Sequence, residues 1–162
     1  MGFMEMAARA SKRAGSLVCV GLDTDTGRLP SGLAGPPGVL EFNRGIIRTT
    51  ADLVCAYKPN AAFYEAMGAE GLEALETTCR TIPSDVPVIL DVKRGDIGNT
   101  AEKYAVAAYD HIGAHAVTVN PYMGFDAVKP FLRPGKCVFV LCLTSNPSSR
   151  DFQLLDTGGM PL

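Results

Sequence analysis

Five short apolar runs punctuate the chain, at 17–23 (LVCVGLD), 53–60 (LVCAYKPN), 86–93 (VPVILDVK), 116–120 (AVTVN) and 137–146 (CVFVLCLTSN). Their hydrophobicity is continuous rather than alternating, which predicts strands covered on both faces, as in a parallel sheet. Parallel strands need crossovers. The segments 40–53, 65–80 and 99–113 carry apolar residues at helical spacing and supply them. In the third, Asn99 is expected to cap the helix with Glu102 three positions on, and Gly113 to close it in the left-handed conformation. The Gly- and Pro-rich GLAGPPGVL (32–40) lacks the Lys and Ser or Thr of a phosphate-binding loop and reads as an irregular connection. Alternating strand and helix fits either a doubly wound sheet or a (β/α)8 barrel.

Strand parity sharpens this picture. Side chains alternate along a strand, so Ile89, Asp91 and Lys93 are predicted to share a face, as are Val54, Ala56 and Lys58, and Cys19, Gly21 and Asp23. The charge comes last in each set. Several strands thus deliver polar groups to their C-terminal ends, where both architectures build their active sites.

With 162 residues, 47% of them hydrophobic and 20% charged, a single globular domain over 1–162 is expected. A net charge of −2 gives no general attraction to nucleic acid or anionic lipid, so neither is expected as a partner. No apolar run approaches the ~18 residues of a membrane span, and the N-terminus lacks the apolar block of a signal peptide, which predicts a cytoplasmic protein. Cysteines at 19, 55, 79, 137 and 142 form no C-x-x-C pair and read as reduced core residues. His111 and His115 have metal-pair spacing, but Gly113 between them should end the helix, so no metal site is expected. His111 is better placed to interact with the helix C-terminus.

The chemistry concentrates in VPVILDVKRGDIGNTAEKY (86–104). An apolar strand delivers Asp91 and Lys93 to one end, and the Arg94-Gly95 pair lets the chain turn before Asp96 and Thr100. Carboxylates around an ammonium favour its charged form, making it a proton donor. Schiff-base chemistry wants the opposite, a desolvated lysine.

Asp91, Lys93, Asp96, Ile97, Gly98 and Thr100 match D-x-K-x-x-D-[I/V]-[G/P]-x-T, and the segment resembles that of the orotidine 5'-monophosphate decarboxylases. VCVGLD, FNRGIIRTTADLVCAYKPNAAFYEAMGAEGLEAL, VTVNPYMGFDAVKPF and LCLTSNPSSRDFQ resemble, in the same order, the longer-chain, mainly bacterial branch of that family. The resemblance implies a (β/α)8 barrel that converts orotidine 5'-monophosphate to uridine 5'-monophosphate as a homodimer, without cofactor or metal. It implies that Lys93 protonates C6 of the pyrimidine, that Asp91 sits beside the substrate carboxylate and fixes Lys93, and that Lys58 and Asp23 bind ribose hydroxyls. Asp96 and Thr100, with Ile97, would reach across the dimer interface, and Ser145 would contact the pyrimidine. A metal-dependent sugar-phosphate lyase such as hexulose-phosphate synthase shares D-x-K-x-x-D but lacks the DIGNTA continuation. An inactive fragment or interaction module is the non-enzyme alternative.

The strands recur roughly every thirty residues, so a barrel of eight would need about 240 residues. The chain is therefore expected to be the N-terminal two thirds of such a barrel, about five βα units, without the Gly-rich and Arg-containing phosphate grip that the resemblance places after strands seven and eight. Such an arc has unpaired edges at its first and fifth strands. Poor solubility and little or no decarboxylation are expected of it alone.

Overall fold

A computed structural model describes residues 1–159; the last three residues of the predicted domain, 160–162, lie outside them. Each apolar run forms a strand: β1 Cys19–Gly21, β2 Ala56–Lys58, β3 Ile89–Arg94, β4 Ala116–Val119 and β5 Cys137–Val140. Ladders join β1 to β2 and β3 to β4 to β5, all parallel. Parallel bridges Tyr57 to Val88 and Asn60 to Asp91 connect β2 to β3. The spatial order is thus the sequence order, 1-2-3-4-5. A doubly wound sheet would reverse direction at a switch point, and this one does not; it is an arc of singly wound βα units, as in a barrel.

The crossover helices are α2 Gly35–Thr50, α3 Ala61–Glu65, α4 Ala69–Thr81, α5 Gly98–Val106 and the short α6 Phe125–Val128. They follow α1, Phe3–Ala14, an amphipathic helix that the strand pattern did not predict. Between helices and sheet lies the main core, with Leu22, Val39, Val54, Tyr57, Tyr64, Leu75, Val86, Val117, Val119 and Phe131 fully buried. A smaller cluster, Ala56, Ile89 and Ala116 with Phe3 of α1, fills the concave side near the strands' N-terminal ends. Gly71 lets α4 reach α3, since a Cβ there would come within 2.0 Å of the Tyr64 carbonyl oxygen.

Several expectations need correction. The GLAGPPGVL segment is not wholly irregular, because α2 begins inside it with Pro36 and Pro37 in its first turn, where the missing N–H costs nothing. Asn99 does not cap α5; the N-cap is Ile97, and its side chain offers no acceptor. The helix runs on through a π-helical stretch, Ala107–His111, and Gly113 does take the left-handed conformation at φ 79°. Of the five cysteines, all free, only Cys79 is buried; Cys55 and Cys137 are half-buried, and Cys19 and Cys142 exposed. Cys19 shares the parity of Gly21, which is also exposed on the concave face, and Cys142 lies beyond the end of β5. Leu17 and Val18 before β1, and Val140 and Leu143 around the end of β5, are exposed at the two ends of the strand order.

Candidate active site

The C-terminal ends of the strands gather the polar groups. After β1, Leu22 and Thr24 are buried while Asp23 between them is exposed. Both neighbours are anchored: the Leu22 carbonyl accepts from the Tyr64 hydroxyl at 2.8 Å, and the Thr24 hydroxyl donates to Asn43 Oδ1 at 2.6 Å. Asn43, fully buried on α2, also donates through Nδ2 to the Tyr64 hydroxyl at 2.9 Å and to Thr78 Oγ1 at 3.2 Å. Three helices thereby set the loop that carries Asp23.

Lys58 ends β2, and Asn60 two positions later caps α3 by accepting from the Ala62 N–H at 3.2 Å. Asp91 lies mid-strand in β3, its side chain 7% exposed. Lys58 Nζ reaches its Oδ2 at 2.6 Å and Lys93 Nζ its Oδ1 at 2.6 Å. Thr118 Oγ1, from β4, donates to Oδ1 at 2.9 Å. Burial by itself disfavours the Asp91 carboxylate, but hydrogen bonds from Lys58, Lys93 and Thr118 outweigh it and hold the carboxyl below its ordinary 3.8. The expected ammonium among acids is, within this chain, a carboxylate between two ammonium groups.

Lys93 does not arrive by simple alternation. From the Leu90–Val117 pair to the Arg94–Val119 pair, β3 advances four residues while β4 advances two. Lys93 sits in that bulge at φ 45°, the one non-glycine residue with positive φ among the described residues. Parity therefore locates Asp91, and the bulge turns Lys93 back to it. Arg94, the second base of the segment, points away, pairing with Glu65 and stacking on Tyr104 at 4.9 Å. Gly95 lets the turn pack closely on the loop after β4: a Cβ there would lie 3.1 Å from the Asn120 carbonyl oxygen.

The remaining expected residues stand apart. Asp23 makes no ion pair with Lys58, so of the four charges Asp23, Lys58, Asp91 and Lys93 the last three are in contact. Asp96 Oδ1 accepts from the Ile97 N–H at 2.8 Å and pairs with no cation among the described residues. Ile97 and Thr100 are exposed at the start of α5. Ser145 is exposed in the bend after β5, beside Thr144, which is tied to Gln153 by hydrogen bonds of 2.7 to 3.1 Å. Sequence reasoning missed Thr118 and Asn43; the one signal for Thr118 is its inward parity in AVTVN. His115, considered only for metal spacing, instead accepts from the Val88 N–H through Nδ1 at 3.1 Å. Among the described residues, no group of three or more His, Cys, Asp or Glu is placed to hold a metal ion, and no helix is long and apolar enough to cross a membrane.

The model of the orotidine 5'-phosphate decarboxylase / HUMPS family matches residues 16–159. The chain belongs to that family. Within the family, the chain is 52% identical over 160 residues to an orotidine 5'-phosphate decarboxylase of Herpetosiphon aurantiacus, covering 96% of this chain and 60% of that protein. It is 50% identical to one of Cupriavidus metallidurans, covering 100% and 61%. Among solved structures, an OMP decarboxylase of Leishmania donovani superposes with a TM-score of 0.90 at 45% identity, covering 99% of this chain and 61% of that one. The UMP synthase of the same organism gives 0.89 at 45% identity, covering 99% and 34%. The chain thus spans about 60% of the length of these curated relatives.

Proposed function

We propose that this chain carries the proton-donating face of an orotidine 5'-phosphate decarboxylase acting in pyrimidine nucleotide synthesis. The supporting observation is Asp91, a buried carboxylate gripped by two lysine ammonium groups at 2.6 Å each, at the C-terminal end of the sheet. In the reaction the bond between C6 and its carboxylate carbon breaks, carbon dioxide departs, and the electron pair stays on C6. Lys93 gives C6 one proton, yielding uridine 5'-monophosphate, and regains a proton from solvent.

A carbanion localised on an sp2 carbon has little resonance relief, and enzymes lower such barriers by as much as roughly 23 kcal/mol. A charge fixed before the reaction needs no reorganisation during it. Asp91 supplies that fixity, and its own charge stands beside the departing carboxylate. Lys58 and Asp23 bind the ribose hydroxyls, and Ser145 the pyrimidine.

A homodimer completes the site in this reading. Asp96, without a cation of its own, and the exposed Ile97 and Thr100 face a second subunit. Tyr122 and Met123, in the loop after the neighbouring strand, and Phe125, which opens α6, are 70%, 50% and 69% exposed and offer further apolar surface.

A metal-dependent sugar-phosphate lyase is the competing reading within the family. It is disfavoured because Lys58 and Lys93 already neutralise the carboxylate that a divalent cation would need. Carbon dioxide release from orotidine 5'-monophosphate, with and without a chelator, tests the choice. Whatever release the chain shows is expected to be chelator-insensitive; release that a chelator abolishes contradicts the decarboxylase reading.

A further inference from the structure

We infer that Thr118 is a positioning residue whose hydroxyl holds β3 in the bulged conformation that returns the Lys93 ammonium to Asp91. The importance of that geometry rests on Lys93 being the proton donor. Thr118 lies on β4, one pair beyond Leu90–Val117, and is 8% exposed. Its hydroxyl accepts from the Val92 N–H and from the Lys93 N–H, each at 2.9 Å, and donates to Asp91 Oδ1 at 2.9 Å. A hydroxyl has one hydrogen and two lone pairs, so this one is fully used. The two amides can only donate, which directs the hydroxyl hydrogen to the carboxylate.

The bulge creates the need. Two residues of β3 beyond the count on β4 leave Val92 and Lys93 without the ladder carbonyls that a flat strand would offer. One hydroxyl gives both amides the partner that a backbone N–H seeks. It thereby stabilises a positive φ that a lysine rarely adopts. The groups that face Asp91 are Lys58 from β2, Lys93 from β3 and Thr118 from β4. Of these, only Thr118 touches both the carboxylate and the backbone that aims the lysine. Valine fills nearly the same space without the hydroxyl, and serine keeps the hydroxyl without the methyl.

The test is nuclear magnetic resonance on the chain itself, reading the Asp91 carboxyl titration midpoint and the exchange rates of the Val92 and Lys93 amides. Thr118→Val is expected to raise the midpoint toward the ordinary carboxylate value and to speed both amides by about tenfold or more; Thr118→Ser is expected to restore both. An unchanged midpoint or unchanged amide exchange in a folded Thr118→Val overturns the inference. If Thr118→Val does not fold, Thr118→Ser decides: unaltered readouts support the inference, and a raised midpoint or accelerated amides overturn it. Neither readout involves turnover, so the inference stands or falls independently of whether the chain decarboxylates.

Discussion

Replacing Asp91 by Asn removes the charge on which the polar cluster converges. The carboxylate accepts three hydrogen bonds, two of them from ammonium groups at 2.6 Å, and its side chain is only 7% exposed. Asn offers one carbonyl oxygen, so one lysine loses its partner and meets an NH2 group instead. Breaking a fully buried ion pair costs about 3–5 kcal/mol. Here the Lys58 and Lys93 side chains are 35% and 51% exposed and can swing into water. That relief brings the expected loss down to about 1–3 kcal/mol at pH 7. The pH dependence follows from the direction of the Asp91 shift. Because its folded-state pKa lies below the ordinary 3.8, the stabilisation is present above that value and disappears as pH falls through the lower folded-state value. Urea unfolding of both proteins across this range should show curves well separated at pH 7 that converge in acid, where Asp91 is protonated and resembles Asn. A separation that persists unchanged below the titration range, or none at pH 7, refutes the reasoning.

Two further outcomes follow from buried groups. Asn43→Ala leaves the buried Thr24 hydroxyl without its acceptor and removes the amide that donates to the Tyr64 and Thr78 hydroxyls; a loss of about 2–4 kcal/mol in urea unfolding is expected, and a loss below about 1 kcal/mol would show that the network carries little. Burial pushes the Cys79 thiol up to about 12, so a thiol reagent at pH 8 should modify the exposed Cys142 first and Cys79 only on unfolding; early labelling of Cys79, read by peptide mass, would contradict its placement.

The strands were legible because fully covered strands leave continuous apolar runs, and the predicted parity correctly brought Lys58 and Asp91 to one face. Two helix signals misled for opposite reasons. Pro36 and Pro37 look like breakers yet suit a first turn, and Asn99 looks like a cap although α5 begins one residue earlier. The bulge at Lys93 was hidden because its partner, Thr118, is 25 positions away, and no local pattern encodes a hydrogen bond across strands. Asn43 was hidden similarly: a polar residue in an amphipathic helix looks solvent-facing until Thr24, Tyr64 and Thr78 close around it. The cysteines were misjudged because membership of an apolar run was taken as burial, whereas Cys19 in β1 and Cys142 beyond β5 are exposed.

The most direct measurement is carbon dioxide release from orotidine 5'-monophosphate by the chain and by Lys93→Ala, with uridine 5'-monophosphate binding followed by calorimetry in parallel. Little release is expected of the chain alone, and the account predicts that whatever exceeds the uncatalysed background vanishes in Lys93→Ala, whose nucleotide binding matches that of the unsubstituted chain. Release that is undiminished in Lys93→Ala would contradict it.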